Sequence, residues 1–136
     1  MNVLVFAHRE DAPDHAKYRT WLEEAVRSET SYGMSDLALA TFVRVVTHPR
    51  AFRTPTPLAT ALTYASALRS QPHCVVVTPG DRHWDLFADL CSRTDARGGL
   101  VTDAYFATLA IESGCEWITT DRDYARFPGL RWRHPL

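Results

Sequence analysis

The stretch GLVTDAYFATLAIESGCEWITTDRDYARFPGL, residues 99–130, decides the fold of this chain. Its pattern predicts a helix over about Val101–Ser113, which Gly114 ends, and then a short strand over Glu116–Thr120. A helix followed directly by a strand is the repeating unit of α/β proteins with a parallel sheet. The stretch therefore predicts a helix that packs against one strand of such a sheet.

Three aspartates of this stretch lie where the helix begins and where the strand ends: Asp103, Asp121 and Asp123. The carboxyl ends of parallel strands form the edge at which open α/β sheets bind ligands. Two carboxylates about 4 Å apart repel each other by about 4 kcal/mol at an effective dielectric of about 20, so a convergent acidic site favours a bound cation. All-oxygen ligands favour Mg²⁺ or Mn²⁺, which suit phosphodiester hydrolysis.

Each of these acids also has a purely structural interpretation. Asp103 is close enough to the start of its helix to interact favourably with the helix dipole. Asp121 and Asp123 are turn-forming residues, and Asp123 is placed to cap a short helical turn over Tyr124–Phe127. Asp121 directly follows the strand and is therefore the better candidate ligand of the two.

The rest of the chain alternates between apolar runs and amphipathic segments. Further strands are predicted over Asn2–Ala7, His73–Thr78 and Arg131–Arg133, the first two buried on both faces. Four further helices are predicted. The first follows Asp14, which can cap it, and the second runs from Ser35 or Asp36 to about Thr47. The third covers Leu58–Ser70, and the fourth runs from the turn at Pro79 to about Arg93. Tyr32–Met34 is interpreted as a break between helices. This order predicts an α/β sandwich with a mainly parallel central sheet.

Length and composition place the chain among ordinary globular proteins. A chain of 136 residues is about one domain, and its net charge of −1 does not by itself require a polyanionic partner. The three cysteines are scattered without a C-x-x-C spacing, which indicates reduced residues in a cytoplasmic protein. No apolar run approaches the ~20 residues that span a bilayer, so no membrane association is expected.

Four blocks of the sequence, in order, carry a family resemblance. They are NVLVFA, FVRVVTHPRAF, TDAYFATLAIESG and ITTDRDYARFPGLRWRHPL. Together they resemble PIN-domain proteins, and more narrowly the VapC toxins of bacterial toxin–antitoxin pairs in their actinobacterial form. The resemblance implies one PIN domain over residues 1–136 with an α/β/α sandwich fold. It also implies a Mg²⁺- or Mn²⁺-dependent endoribonuclease that cleaves tRNA or rRNA, forms a homodimer and is blocked by a VapB-like antitoxin.

The resemblance assigns roles to individual acids. Asp103 matches the acid of the family's DA-x-x-A-x-LA block, and Asp121 and Asp123 match the two acids of its T-x-D-x-DF block. It therefore implies that Asp103 and Asp121 bind the metal and that Asp123 supports catalysis. Tyr124 stands at the position of the block's aromatic residue.

Candidate substrate-binding residues come from other blocks. Asn2 matches the asparagine of the family's D-x-N-x-L opening, and Arg44 matches an R-V-x-T-x-P-R segment. Arg9, Arg44 and Arg50 are also predicted to bind RNA phosphates, since arginine suits bidentate phosphate contacts, and Arg44 is the preferred one. A structural ion pair with a carboxylate of the site is the alternative role for Arg44.

Two departures from the family pattern concern the expected acids. The family's first aspartate lies two positions before Asn2, which is one residue before Met1, so a truncated or misassigned start with an upstream aspartate is expected. The family's second acid is a glutamate at the position of Thr41, and Asp36 lies about 140° away around the helix.

The alternative function is therefore a catalytically weakened PIN fold that binds RNA or an antitoxin. A single-strand DNA or flap nuclease is a third possibility, since it would use the same acids.

Overall fold

The computed structural model describes residues 1–136 and contains six α-helices, four short strands and one 3₁₀-helix. The helices are α1 (Asn2–His8), α2 (His15–Arg27), α3 (Asp36–Val46), α4 (Leu58–Arg69), α5 (His83–Thr94) and α6 (Gly99–Ser113). The strands are β1 (Tyr32–Met34), β2 (Cys74–Val76), β3 (Trp117–Ile118) and β4 (Trp132–Arg133), and the 3₁₀-helix is Arg122–Arg126.

The chain forms two compact units, each with one pair of parallel strands. The first unit comprises Met1–Val76 with Pro135–Leu136, and the second comprises Val77–His134. β1 pairs with β2 in the first unit and β3 pairs with β4 in the second. The predicted α/β class with parallel strands is confirmed. The strands form two separate parallel pairs, one in each unit.

The predicted N-terminal strand is wrong, since Asn2–His8 is the helix α1. A six-residue apolar run has no periodicity that separates a buried strand from a buried helical segment. As a helix, the run buries Val3, Leu4, Val5 and Ala7, and α1 packs against α2 and α3. The core of the first unit thus consists mainly of helix–helix contacts, with Phe42 and Val46 fully buried on α3.

The five other helices were all predicted, and their ends follow from local chemistry. The Ser35 side chain accepts a hydrogen bond from the Ala38 amide at 3.4 Å and so begins α3. Gly114, with φ of 71°, ends α6 in the left-handed conformation that glycine adopts readily. Asp14 precedes α2 as predicted, but its side chain makes no cap hydrogen bond and instead lies 2.9 Å from Lys17.

The two strands of the first unit differ from prediction. Tyr32–Met34, interpreted as a break, is β1 and lies in parallel register with Cys74–Val76. β2 is not buried on both faces, because Val75 is 53% exposed. A two-stranded sheet covered by α4 leaves its other face in solvent, which explains this exposure.

In the second unit α6 is the central helix and α5 packs against it. α6 is apolar around most of its circumference, and the side chains of Ala104 and Ala107 are fully buried. The Glu112 carboxylate near the end of α6 accepts hydrogen bonds from the Gly80 amide at 2.7 Å and the Arg82 amide at 3.1 Å. A Cβ at residue 80 would lie 2.8 Å from Glu112 Oε2, so a side chain there would displace the carboxylate from its present position.

Glu112 supplies the N-terminal cap that α5 lacks, because Arg82 makes no side-chain cap bond itself. We expect Glu112→Ala to lower the free energy of unfolding by about 1 kcal/mol, the usual effect of losing a helix cap. Urea denaturation measures this change, with the exposed Glu24→Ala on α2 as the control. Equal unfolding midpoints for Glu112→Ala and the wild type would contradict the capping role.

Candidate functional site

Asp103 lies in the second turn of α6 and is half-buried. Its Oδ1 accepts a hydrogen bond from the Tyr124 hydroxyl at 3.1 Å. Tyr124 belongs to the 3₁₀-helix after β3 and is 4% exposed. This bond joins α6 to the turn that carries the other two aspartates.

Asp121 is fixed by the turn that follows β3. Its amide donates to Thr119 Oγ1 at 3.1 Å, and its Oδ1 accepts from the Asp123 amide at 2.9 Å. Asp121 is therefore the N-cap of the 3₁₀-helix. The structural role considered for Asp123, that of capping this turn, belongs to Asp121.

Asp123 is the most solvated of the three acids. Its Oδ1 lies 3.5 Å from Arg126 Nη2, and its side chain is 68% exposed. An exposed ion pair of this length contributes little stability. Asp123 therefore has a water-accessible carboxylate, whereas those of Asp103 and Asp121 are hydrogen-bonded within the unit.

The three carboxylates are close enough to influence one another electrostatically. The pKa of the Asp103 carboxyl is raised mainly by burial, and the charges of Asp121 and Asp123 raise it further. The hydrogen bond from Tyr124 acts in the opposite direction and lowers this pKa. The pKa of Tyr124 is itself strongly raised by burial and by the Asp103 charge, so the phenol stays protonated. The site thus concentrates negative charge that a cation would neutralise.

The donor set suits a hard cation that keeps part of its water shell. The structure holds no group of three or more His, Cys, Asp or Glu side chains arranged to enclose a metal ion. Mg²⁺ is commonly bound through one or two carboxylates plus water and substrate phosphate, so Asp103 and Asp121 fit this mode. Each accepts the hydrogen bond described above through Oδ1, which leaves Oδ2 out of that bond.

The predicted substrate-binding residues lie in the first unit. Arg44 is exposed near the end of α3 and makes no ion pair. Asn2 lies at the start of α1, where its Oδ1 accepts from the Val3 amide at 2.8 Å. Both assignments stay predictions.

Arg9 follows α1 and its side chain is only 11% exposed. Its guanidinium bonds both Asp11 carboxylate oxygens, at 2.8 and 2.6 Å, and donates to the Thr54 carbonyl at 2.8 Å. It also lies 4.1 Å from the centre of the Phe52 ring. These contacts engage the Arg9 guanidinium in a structural ion pair within the first unit.

The positions that depart from the family pattern are also engaged locally. Thr41 Oγ1 donates to the Leu37 carbonyl of its own helix at 2.8 Å. Asp36 forms an ion pair with Arg69, with oxygens 2.7 and 3.3 Å from the guanidinium nitrogens. Thr41 thus offers only a neutral hydroxyl, and the charge of Asp36 is already paired with an arginine.

Sequence reasoning missed two supporting residues of the site. The Tyr124 hydroxyl donates to Asp103, a contact that the match to the family's aromatic position did not indicate. Thr119, which is 2% exposed, orders the backbone of Asp121. A tyrosine in place of phenylalanine beside two acids, and a threonine two residues before the first acid, are the signals that point to them.

None of the helices combines the length and hydrophobicity that crossing a bilayer requires.

Comparison with known proteins identifies the fold and the family. The PIN-domain family model matches residues 2–130. VapC ribonuclease Mb2897 of Mycobacterium bovis is 44% identical over 136 residues, which cover 100% of this chain and 92% of the relative. Ribonuclease VapC25 of Mycobacterium tuberculosis is 37% identical over 135 residues, 99% of this chain and 95% of the relative.

A solved structure shares the fold. The crystal structure of VapBC2 from Rickettsia felis, bound to a DNA fragment from its promoter, matches with a TM-score of 0.68 and 17% identity. The match covers 98% of this chain and 93% of that chain. A PIN-type α/β fold with acids after a strand and on a neighbouring helix defines the class of protein. The chain belongs to the PIN-domain family, among the VapC ribonucleases.

The contacts of Arg9 predict that it stabilises the fold. We expect Arg9→Ala to lower the free energy of unfolding by about 2 kcal/mol, since it removes hydrogen bonds and the contact with Phe52. Urea denaturation tests this, with the exposed Arg50→Ala as a control that should change little. Unchanged stability together with weakened RNA binding would instead assign Arg9 to the substrate.

The raised pKa of Asp103 predicts that its charge destabilises the metal-free fold. Between the unfolded pKa, about 3.9, and the higher folded pKa, the folded state holds more protons, so stability falls as pH rises through that window. We expect Asp103→Asn to stabilise the metal-free protein at pH 7 and to have no effect below pH 3. Thermal unfolding in EDTA at both pH values measures this. A lower melting temperature for the variant at pH 7 would contradict it.

Proposed function

We propose that this protein is a metal-dependent endoribonuclease toxin of the VapC type. Family membership supports ribonuclease activity, because the relatives that cover this chain are named ribonucleases. The observation that carries the metal dependence is the electrostatic clustering of Asp103, Asp121 and Asp123 in one unit. Asp103 and Asp121 would hold Mg²⁺ or Mn²⁺.

A bound cation would supply an activated water and stabilise the charge on the leaving oxygen. The chain's own residues provide orientation. Tyr124 holds one oxygen of Asp103, and the Thr119–Asp121 turn fixes the second carboxylate. Asp123, exposed and loosely paired with Arg126, supports the site as a further anionic group that water can reach.

Cleavage requires a simple exchange of bonds at phosphorus. A water oxygen bonds to the scissile phosphorus while the bond to the 3′ oxygen breaks, and a proton from water ends on that oxygen. The products are a 5′-phosphate and a 3′-hydroxyl. We propose tRNA or rRNA as the substrate class and Arg44 as a phosphate contact, because Arg44 is an exposed guanidinium without an ion pair.

Partners and assembly form a separate part of the proposal. A VapB-like antitoxin is proposed as the partner, because a VapBC complex shares the fold of this chain. A homodimer is proposed from the family relation, and a cytoplasmic location from the three free cysteines.

Removing the carboxylates tests the activity. We expect Asp103→Asn and Asp121→Asn each to lower Mg²⁺-dependent RNA cleavage by at least 100-fold, because each replaces an anionic ligand by a neutral amide. Asp123→Asn should have a smaller effect. Cleavage of total RNA, mapped by sequencing of 5′-phosphate ends, measures the loss.

Asp89→Asn is the matched control, since Asp89 is exposed on α5 and pairs only with Arg93 at 3.6 Å. It should cleave RNA at the wild-type rate. Full activity in Asp103→Asn would refute the assignment of the site.

The second candidate function is RNA or antitoxin binding without cleavage. Thr41 at the position of the family's glutamate, and the lack of a three-residue metal cluster, favour it. Wild-type protein that binds RNA but leaves it intact in saturating Mg²⁺ and Mn²⁺ would establish this alternative.

A further inference from the structure

The Tyr124 hydroxyl makes the hydrogen bond that fixes Asp103 Oδ1 in the site. We propose that Tyr124 is a positioning residue, which holds the Asp103 carboxylate in the orientation that binds the divalent cation. This inference rests on the proposed function, because it concerns how that same site is ordered. Phenylalanine would fill the same space without this donor.

The ring of Tyr124 is immobilised by aromatic neighbours. Its centroid lies 5.6 Å from that of Trp117 and 5.7 Å from that of Phe127. Trp117 in turn stacks on Phe106 of α6 at 5.3 Å with an interplanar angle of 16°. The hydroxyl is therefore held at a fixed position relative to α6, the helix that carries Asp103.

The direction of this hydrogen bond follows from its partners. The Tyr124 hydroxyl donates to Asp103 Oδ1 at 3.1 Å, since a carboxylate can only accept. The bond distinguishes Oδ1 from Oδ2, and Oδ2 is the oxygen that would meet a cation. A freely rotating carboxylate would exchange its two oxygens between these roles.

Trp117 is the aromatic neighbour of Tyr124 from β3. Its indole N–H is buried and has no hydrogen-bond partner at bonding distance. Its ring packs against that of Tyr124, so Trp117 acts on the site by restricting the position of the phenol.

The test is the affinity for Mn²⁺, measured by electron paramagnetic resonance of the free ion during titration. We expect Tyr124→Phe to weaken Mn²⁺ binding about tenfold, as is usual for loss of a hydrogen bond to a metal ligand. RNA cleavage should recover most of its rate at saturating Mn²⁺, because the phenol touches no substrate. Trp117→Phe, which keeps an aromatic ring but removes the N–H, should weaken binding less.

Tyr32→Phe is the matched control. The Tyr32 hydroxyl also makes one hydrogen bond, to the Leu68 carbonyl at 2.6 Å, but it lies in the first unit. Its loss should leave Mn²⁺ affinity unchanged. Circular dichroism checks that all the variants are folded.

The outcomes separate the inference from the proposed function. Wild-type Mn²⁺ affinity in folded Tyr124→Phe, together with loss of binding in Asp103→Asn, overturns the positioning role and keeps the metal site. Equal Mn²⁺ binding by the wild type and Asp103→Asn overturns the metal site, and the positioning role with it. A tenfold loss in Tyr124→Phe that adds nothing in the Asp103→Asn background supports the inference.

Discussion

Ionised carboxylates repel one another, and the second unit keeps three of them within electrostatic range. Asp103 is the most affected, because burial and the two neighbouring charges both raise its pKa. The surrounding contacts offset part of this electrostatic cost. Tyr124 donates to Asp103, and backbone amides order Asp121 and the turn after it. The local structure of α6, β3 and the 3₁₀-helix is consistent with a site ordered for a cation.

The helices were predictable from the sequence because their signals are local. Ser35 at the start of α3 and Gly114 at the end of α6 act on residues three or four positions away. The grouping of the acids was predictable for a similar reason. A helix that packs back along the strand following it places the start of the helix near the end of the strand, and the acids lie at these two positions. The resemblance then gave a chemical meaning to the acids, which their spacing alone did not provide.

The remaining errors arise where long-range contacts decide the structure. NVLVFA is apolar in either conformation, and its packing against α2 and α3 makes it a helix. Tyr32–Met34 is too short to signal a strand, and only pairing with β2 defines it. The same limit hid Glu112, which caps a helix that begins about thirty residues earlier in the chain.

The arginines and aspartates of this chain show that residue type alone does not determine whether a side chain has a structural or a functional role. Arg9 and Arg44 carry the same charge, yet Arg9 is nearly buried among its partners and Arg44 is exposed. Asp36 and Asp103 are both near the start of a helix, but an arginine neutralises Asp36, whereas the charges of two further aspartates raise the pKa of Asp103. A bound cation relieves the repulsion between neighbouring carboxylates, whereas a carboxylate that is already paired with an arginine gains little from one. The surroundings of the two acids, and not their residue type, therefore favour Asp103 over Asp36 as a candidate metal ligand.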